Sequence, residues 1–337
     1  MLTRVDSERR EYTILSPFAA KAAESRGRAR PETPCSYRTD FQRDRDRIIH
    51  SKALRRLWDK TQVFIAPEGD HYRKRLTHTF EVSQISRSIA RGLMLNEDLT
   101  EAIALGHDLG HTPFGHNGEH FLDERHKEGF KHNEQSLRVV DVLESRGGER
   151  GMNLTAEVRD GILGHTGDHM PYTLEGRIVR VSDRIAYINH DIDDAIRAGI
   201  ISEEDLPSDC VRVLGDSTRG RIDTLVTDMI VSSDERPDIS MSEEKWQAMD
   251  CLRTYMFEHV YLNPAVKKKE ELMEIRHIIC SLYDHFLEHP EDITPEYRNM
   301  IPDYGTEEMV KDQIAGMTDH YAATTYERIF IPGRRRR

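Results

Sequence analysis

The amino-acid sequence predicts an all-α fold, a helical bundle with an additional C-terminal helical region. Apolar residues recur at steps of three and four along most of the 337 residues, which is the spacing of one buried face of an α-helix. The sequence shows neither alternating strand and helix units nor a repeat of about 20 to 50 residues, so neither a parallel sheet nor a solenoid is indicated. One β-prone run, TQVFI at 61–65, is too short to change this prediction.

Three consecutive regions are predicted along the chain. Residues 1–40 mix charges with Pro31 and Pro34 and lack a sustained apolar period, which predicts an irregular N-terminal arm. Residues 41–200 are predicted to form the core of the bundle. Its helices are expected at 41–57, from His78 in a first turn to Leu93, at 99–109, up to Gly147 and Gly148, and at 176–199.

Residues 201–337 are predicted to form a C-terminal helical region packed on the core. Ser240 and Glu243 have the spacing of a capping box, which predicts a helix that begins there and ends near Pro264. A later stripe with steps of three and four consists of Leu272, Ile275, Ile279, Leu282 and Phe286. We interpret this stripe as core packing, with contacts between subunits of a homo-oligomer as the alternative.

Length and cysteine content limit the class of protein. A chain of 337 residues can bury a sizeable core without disulfides or structural metals. Its four cysteines are far apart and form no CxxC pair, which is typical of a reducing cytoplasm. The sequence contains no stretch that resembles a signal peptide and no apolar run long enough to span a bilayer, so we expect a soluble cytoplasmic protein without a membrane partner.

The charge is unevenly distributed. The formal net charge is -12, yet residues 1–60 contain 15 Lys and Arg against 9 Asp and Glu, and the remainder contains 33 against 51. A basic segment of this kind is suited to the phosphates of a nucleotide or a nucleic acid. A solvated arginine-rich surface explains the charge equally well.

Histidines are concentrated in one part of the chain, where six of the seventeen fall between residues 107 and 132. His107 and Asp108 end an apolar segment, and His111 follows four residues after His107. On a helix these three side chains fan over about 100° and can converge on one point. Imidazole and carboxylate donors together suit Mn, Fe, Zn or Mg, but such a site needs further ligands from elsewhere in the chain.

His78 and Asp183 are the candidates for those further ligands. Each lies on a predicted helix whose other side is apolar, so each is a polar group on an element that must pack inward. Taken singly, His78 could be a hydrogen-bonded residue at a helix start. Asp183 could be a surface partner of Arg180 or Arg184.

The order H…HD…D resembles the HD phosphohydrolase superfamily. The neighbouring sequence resembles one branch of it, the dGTP triphosphohydrolase family, over roughly residues 38–200. The stretches that carry this resemblance are RTDFQRDRDRIIHSKALRRLWDKTQVF, RLTHTFEV, GHDLGHTPFGHNGE, HNEQS and RVSDRIAYINHDIDDA. The resemblance implies that the predicted core is an HD-domain helical bundle.

The resemblance also implies a metal site, whose ligands are His78, His107, Asp108 and Asp183. The implied cofactor is a divalent ion, Mn²⁺ or Mg²⁺ in the first place, with Fe, Co, Ni or Zn as alternatives. Four protein ligands would leave open positions for water and a phosphate oxygen.

Catalytic histidines are implied in the same stretch. His116 and Glu119 are three residues apart and can form a hydrogen-bonded pair. The resemblance implies that His116 protonates the leaving 5'-oxygen. It implies that His111 and His132 neutralise phosphate charge as the transition state forms. The alternative for His111 and His132 is a supporting or helix-capping role.

A polar stripe with a period of four residues, Asp183, Tyr187 and Asp191, is suited to line a pocket. The resemblance implies that Tyr187 excludes a 2'-hydroxyl and that Asp191 accepts from the 3'-hydroxyl of a deoxyribose. It implies a sugar contact for Gln62, whose alternative is a polar residue of an edge strand. Arg75 and Arg184 are expected to bind phosphate oxygens through their planar guanidinium groups.

The implied function is hydrolysis of a deoxynucleoside triphosphate, dGTP or several dNTPs, to deoxynucleoside and inorganic triphosphate. Alternatives are another HD phosphohydrolase, a nucleoside monophosphatase or cyclic-nucleotide phosphodiesterase, and a nucleotide-sensing nucleic-acid binder. Signatures of P-loop, Rossmann, serine-hydrolase and HExxH enzymes are absent from the sequence.

The family implies a homo-oligomer, hexamer or tetramer, and some members have a nucleotide effector or bind single-stranded DNA. Because only 75 positions separate Asp108 from Asp183, fewer than in the longer dGTP-selective members, base selectivity is not carried over.

Overall fold

The computed structural model describes residues 1–62, 73–261, 263 and 269–331. Within these residues the chain is predominantly α-helical, and the all-α prediction is confirmed. The helices are α1 (Arg4–Ile14), α2 (Asp40–Ile49), α3 (Lys52–Arg56), α4 (Arg75–Gly92), α5 (Glu97–Gly106), α6 (Gly115–Arg125), α7 (His132–Arg138), α8 (Ala156–Gly164), α9 (Leu174–Arg197), α10 (Ser208–Leu214), α11 (Thr218–Ser233), α12 (Glu243–Met256), α13 (Lys269–Glu288), α14 (Pro295–Arg298), α15 (Ile301–Tyr304), α16 (Thr306–Ala315) and α17 (Asp319–Phe330). π-helical turns follow α7 at Val139–Leu143 and α12 at Phe257–Tyr261.

The residues form two compact units, each made of three stretches of chain. The first unit comprises Met1–Ser51, His78–His107 and Met152–Val266. The second comprises Lys52–Thr77, Asp108–Gly151 and Lys267–Arg337. This grouping differs from the three consecutive regions expected from the sequence, because α10, α11 and α12 cluster with the first unit. The reason is that α11 and α12 both pack against α9.

Helix α9 is central to the first unit. Ile178, Ile185, Ile188 and Ile192 are buried, and the helix contacts α5, α8, α11 and α12. Thr173 caps its N terminus by accepting a hydrogen bond from the Gly176 amide. The close approach of α8 to α5 requires Gly161, since a Cβ atom there would lie 2.5 Å from Ile103. Because α9 is tightly packed on its apolar side, it cannot rotate about its axis, and the positions of its polar side chains are fixed.

The N-terminal arm is partly helical, which differs from the irregular structure expected for residues 1–40. Helix α1 begins after a capping box in which Thr3 and Asp6 satisfy each other's backbone amides. The sequence feature that indicates α1 is therefore this capping box, because the helix has no apolar periodicity. The arm is joined to the first unit by polar contacts: the buried Glu11 accepts from the Ala22 amide at 2.7 Å and from Asn96 at 3.1 Å.

Two helix boundaries also differ from the predictions. The helix expected to end at Gly147 and Gly148 ends at Leu143, and the two glycines turn a hairpin between β1 (Ser145–Arg146) and β2 (Glu149–Arg150). Both have positive φ, 59° and 86°, as the tight turn of a hairpin requires. The N-cap position of α12 is Ser242 and not Ser240. The Ser242 hydroxyl makes no capping hydrogen bond, because it donates to Asp228, which also accepts from the Ser242 amide.

The β-prone run and the predicted end of the helix after Ser240 fall partly on positions that are not described. Thr61 forms an isolated antiparallel bridge with Lys74, whereas residues 63–65 lie outside the described residues. Helical structure continues from α12 through Tyr261, and Pro264 also lies outside the described residues.

The core of the second unit contains the C-terminal apolar stripe. Ile275, Ile279, Leu282 and Phe286 of α13 are buried among residues of α6, α16 and α17, which confirms the packing interpretation. Leu272 is only partly buried. Among the residues described, no helix is both long enough and apolar enough to cross a membrane.

The free energy of unfolding should depend on pH through Glu175, which lies in the first turn of α9. Its carboxylate is fully buried and accepts from the amides of Ala20 and Asn96, each at 3.0 Å. Burial raises the pKa of Glu175 from 4.5 to about 7. The folded state therefore binds the proton more tightly than the unfolded state, so stability falls as pH rises from about 4.5 to 7.

We expect Glu175→Gln, which resembles the protonated acid, to abolish this loss. Relative to the variant, the wild type should lose roughly 3 kcal/mol between pH 4.5 and 7 and nothing further above that range. Urea unfolding of both proteins at several pH values measures the difference. Glu204→Gln, at an exposed position, is the control. A pH-independent difference between wild type and Glu175→Gln would contradict the assignment.

Candidate active site

In the first unit, three predicted metal ligands converge. His78 lies in the first turn of α4, His107 follows the last residue of α5, and Asp183 lies on α9. The Asp183 Oδ1 atom is 3.0 Å from His78 Nε2 and 3.9 Å from His107 Nε2. Both histidines are almost completely buried, and their ring centroids are 5.7 Å apart. Two imidazole nitrogens and one carboxylate oxygen therefore meet at one place.

The end of α5 sets the tautomer of His107. The helix ends at Gly106, three residues before the predicted end, and the ring of His107 folds back so that Nδ1 lies 2.7 Å from the Ala104 carbonyl oxygen. A carbonyl oxygen only accepts, so Nδ1 carries the proton and Nε2 presents a lone pair on the side of Asp183. This arrangement is typical of metal-binding histidines, which donate their other ring nitrogen to a carbonyl or carboxylate.

His165 is a residue of this cluster that the sequence analysis missed. It follows α8 as His107 follows α5, its Nδ1 lies 2.7 Å from the Ile162 carbonyl oxygen, and its ring is 5.0 Å from that of His107. A signal was present, because the tripeptide Leu-Gly-His occurs at 163–165 as it does at 105–107 and 109–111. The repeated tripeptide places two imidazoles beside each other.

The electrostatics of this cluster favour an ionised carboxylate. Burial alone would raise the pKa of Asp183, but the hydrogen bond to His78 and the nearby rings of His107 and His165 hold that pKa far below its usual range. A carboxylate with two imidazoles is a donor set that fits a divalent ion of the Mn, Fe, Zn or Mg type. Asp108 is the next residue after His107 in the chain and is also buried.

In the second unit, Glu119 is surrounded by the three predicted catalytic histidines. It accepts from His116 Nδ1 at 3.1 Å and from both the Nδ1 and the backbone amide of His132, at 2.8 and 2.9 Å. His111 Nε2 lies 3.7 Å from the same carboxylate. The ring centroids of the three histidines are 4.7 to 6.0 Å apart. The expected pairing of His116 with Glu119 is present, and His132 joins it.

A sharp turn before α6 positions this group. Phe114 and Gly115 have φ of 60° and 59°, and the Phe114 amide donates to Asp319 at 2.8 Å. A Cβ atom on Gly115 would lie only 3.1 Å from the Gln62 carbonyl oxygen and 3.3 Å from Arg75. Glycine thus lets the backbone of Gln62 and the guanidinium of Arg75 approach the start of the helix that carries His116 and Glu119.

The pKa values of His111 and His132 shift in opposite directions. Burial lowers the pKa of His111 well below its usual value, and the Arg75 charge acts in the same direction. Burial also acts to lower the pKa of His132, but the Glu119 hydrogen bond and charge outweigh it and raise that pKa. The pKa of Glu119 is far below normal because its hydrogen bonds to His116 and His132 overcome its burial. The group therefore combines an ionised acid with one histidine whose neutral form is favoured, His111, and one whose cationic form is favoured, His132.

Arg75 and Lys60 add positive charge to the second unit. Arg75, predicted to bind phosphate, forms a buried ion pair with Asp108 at 2.7 Å. Lys60 is fully buried and donates to the backbone carbonyl oxygens of His111 and Ala315. Burial lowers the pKa of Lys60 to about 7. The sequence analysis did not single out Lys60, although it lies within the DKTQVF stretch that carries the resemblance.

The polar stripe of α9 belongs to the first unit. Tyr187 is half-buried, and its burial and the Asp183 charge raise its pKa to about 12. Arg184 lies over the ring of Trp246 on α12, with 5.7 Å from its guanidinium carbon to the ring centroid. Asp191 is buried and accepts a short hydrogen bond from the hydroxyl of Tyr261. The sequence did not predict that Trp246 contacts Arg184 or that Tyr261 contacts Asp191.

The predicted site residues thus fall into two sets. The first unit brings together His78, His107, Asp183, Arg184, Tyr187 and Asp191. The second contains Gln62, Arg75, Asp108, His111, His116, Glu119 and His132. Their individual roles stay predictions.

Similar proteins identify the family. A family model described as HD domain matches residues 75–188, and one described as phosphohydrolase-associated domain matches residues 239–328. A deoxyguanosinetriphosphate triphosphohydrolase-like protein of Caldanaerobacter subterraneus subsp. tengcongensis is 57% identical over 98% of this chain and 97% of its own length. A protein of the same description from Desulfatibacillum aliphaticivorans is 48% identical over 98% and 99%. The chain belongs to this dGTPase-like family of HD phosphohydrolases.

A solved structure shares the fold of this chain. A phosphohydrolase of Bacteroides thetaiotaomicron VPI-5482 matches with a TM-score of 0.52 and 16% identity, over 82% of this chain and 66% of that chain. At this identity the likeness concerns the fold alone. The HD match contains His78, His107, Asp108 and Asp183, whereas Trp246 and Tyr261 lie within the phosphohydrolase-associated match.

Proposed function

We propose that this HD-family chain is a metal-dependent dNTP triphosphohydrolase, which converts a deoxynucleoside triphosphate and water into deoxynucleoside and inorganic triphosphate. The observation that carries the proposal is the convergence of His78, His107 and Asp183 on one point. The names of the relatives, deoxyguanosinetriphosphate triphosphohydrolase-like protein, support the substrate class.

His78, His107, Asp108 and Asp183 are the proposed ligands. Three of them converge within the first unit, and Asp108 is proposed as the fourth because it directly follows His107. When bound, Mn²⁺ or Mg²⁺ would supply Lewis acidity toward a phosphoryl oxygen and toward an attacking water.

His116 is the proposed proton donor to the leaving group. Glu119 is ionised, so the His116 Nδ1 atom that faces it must carry a proton. In the proposed reaction the ring acts as an imidazolium, whose second proton is on Nε2; this side chain is 67% exposed, so Nε2 can transfer that proton to substrate. In the proposed reaction, a water oxygen bonds to the α-phosphorus and loses a proton to solvent, the bond from phosphorus to the 5'-oxygen breaks, and the 5'-oxygen takes the His116 proton, which solvent then replaces.

The remaining residues of the second unit are proposed to stabilise phosphate charge. The Glu119 hydrogen bond favours a cationic His132, and Arg75 adds a guanidinium group beside the same histidines. Lys60 holds the loop of His111 through that residue's carbonyl oxygen. A cationic, preorganised group of this type stabilises a transition state whose charge is spread over phosphate oxygens.

The deoxyribose is proposed to lie along α9, where Tyr187 and Asp191 follow Asp183 at intervals of four residues. The Tyr187 ring would exclude a 2'-hydroxyl, and Asp191 would accept from the 3'-hydroxyl. Gln62 is a further proposed sugar contact, and Arg184 a further proposed phosphate contact. A homo-oligomer, a nucleotide effector and single-stranded DNA stay predictions.

The first phosphate product tests the reaction. We expect a digest of dGTP, dATP, dCTP or dTTP with Mn²⁺ or Mg²⁺ to release triphosphate and deoxynucleoside in equal amounts, because the bond to the 5'-oxygen is the one that breaks. Ion-exchange chromatography of an early time point separates tri-, pyro- and orthophosphate. A reaction with excess chelator is the control.

The same digest distinguishes the alternatives. Pyrophosphate or orthophosphate as the first product would contradict the proposal. Turnover of deoxynucleoside monophosphates or cyclic nucleotides in place of dNTPs would indicate the other HD chemistries. Assaying the four dNTPs singly and in pairs defines base selectivity and shows any activation of one nucleotide's turnover by another.

A further inference from the structure

Tyr261 joins the π-helical turn after α12 to the polar face of α9. Its hydroxyl donates to the Oδ2 atom of Asp191, 70 positions away in the chain. The ring is held at its edge by Phe257, with a centroid distance of 5.1 Å. The contact is thus built from two aromatic residues of one turn and a carboxylate of another helix.

This hydrogen bond restricts a carboxylate that is itself buried. Asp191 is only 4% exposed. A hydrogen bond from a fixed phenol selects one orientation of the carboxylate, since the χ2 torsion of aspartate is otherwise broad. A carboxylate has two oxygens and about four acceptor positions, so it can accept from Tyr261 and from a substrate hydroxyl together.

The Tyr261 hydroxyl keeps the proton that it donates to Asp191. Burial and the neighbouring Asp191 charge raise the pKa of Tyr261 well above its usual value, so the hydroxyl keeps its proton at any physiological pH. π-helical turns inside α-helical segments occur frequently at functional sites. Here the Phe257–Tyr261 turn is the element that presents the phenol to α9.

We propose that Tyr261 is a positioning residue that orients the Asp191 carboxylate to read the 3'-hydroxyl of the deoxyribose. The inference rests on the proposed function, because it assumes a dNTP beside α9. Asp183 and Asp191 are eight residues apart, about 12 Å along the helix axis. That length accommodates a nucleotide from its α-phosphorus to its 3'-oxygen with one protein group at each end.

The test compares dGTP with 2',3'-dideoxy-GTP in wild type and Tyr261→Phe. We expect Tyr261→Phe to raise KM for dGTP about tenfold, in line with the loss of one oriented hydrogen bond to a charged group, with a much smaller change in kcat. For the dideoxy substrate, which has no 3'-hydroxyl, KM should change less than about twofold. The effect should likewise disappear in an Asp191→Asn background, where the carboxylate is already lost.

A matched control separates this role from a structural one. Tyr283→Phe removes a tyrosine hydroxyl that donates to Glu307 in the second unit, so it deletes a comparable hydrogen bond elsewhere. It should leave the ratio of KM values for the two substrates unchanged. Equal losses on both substrates in Tyr261→Phe, or no loss on dGTP, would overturn the inference even when the wild type is fully active.

Binding measurements keep the inference testable when turnover fails. If the wild type hydrolyses none of the four dNTPs, the proposed function is wrong. Calorimetric titration with dGTP and dideoxy-GTP in a His116→Ala background then decides the inference separately. A preference for dGTP that Tyr261→Phe reduces about tenfold supports it. The absence of any preference, or of any binding, overturns it.

Discussion

Replacing Asp183 with alanine is expected to lower kcat/KM for a dNTP by at least about 1000-fold, since loss of a ligand should exceed the 10- to 100-fold typical of residues that only support a ligand. The Asp183 Oδ1 atom lies 3.0 Å from His78 Nε2 and 3.9 Å from His107 Nε2, so its removal takes away one proposed ligand and a contact of two others. The bound metal per chain, measured by elemental analysis after dialysis, should fall in parallel.

The neighbouring Asp193 provides the control for Asp183. It lies on the same helix and pairs at the surface with Arg197, so Asp193→Ala should retain metal and activity within about twofold. Thermal unfolding with and without chelator gives a readout independent of turnover: the chelator should lower the Tm of wild type and Asp193→Ala but not that of Asp183→Ala. Wild-type activity or metal content in Asp183→Ala would refute the ligand assignment.

Glu119→Gln is expected to lower kcat roughly 100- to 1000-fold. A glutamine side chain has one acceptor oxygen and no charge, and it cannot serve the ring nitrogens of His116 and His132 as the carboxylate does. Burial lowers the pKa of His132, and the Glu119 hydrogen bond and charge are the largest of the effects that raise it, so loss of the Glu119 charge should lower that pKa. The alkaline limb of the kcat/KM profile should therefore move to lower pH.

The exposed Glu124 on the same helix is the matched control for Glu119. Its carboxylate pairs with His120 and Arg276 at the surface, and Glu124→Gln should keep both kcat and the pH profile. Rates from pH 5.5 to 9 at saturating and at low dNTP separate kcat from kcat/KM. An unchanged profile together with a wild-type kcat in Glu119→Gln would exclude a role for this carboxylate in the reaction.

Local pattern in the sequence was sufficient for much of the molecule. The stripe of isoleucines that predicts 176–199 corresponds to α9 at Leu174–Arg197, and His78 lies in the first turn of α4 as expected. His116 and Glu119 form the pair that their spacing predicts, because residues three apart share one face of a helix. Such features depend only on the 3.6-residue period.

Features set by capping and by irregular turns were predicted less well. Helix α1 has a polar sequence and is stabilised at its start by Thr3 and Asp6, so a search for apolar periodicity overlooks it. The end of α5 at Gly106 depends on the turn that follows, and the hairpin at Gly147 and Gly148 depends on two residues with positive φ. Neither is visible as a change in hydrophobic period.

By itself, the sequence determined the helical class, the donor types and the family of this protein, since these follow from residue identity and from spacing within single elements. Only the tertiary structure decided which atoms meet. His165 beside His107, Lys60 on the carbonyl oxygen of His111, and Tyr261 on Asp191 all join residues from different elements. Such contacts depend on how helices and loops pack. The same packing buries Glu175, which raises its pKa, and places Glu119 beside His132, which raises the pKa of that histidine.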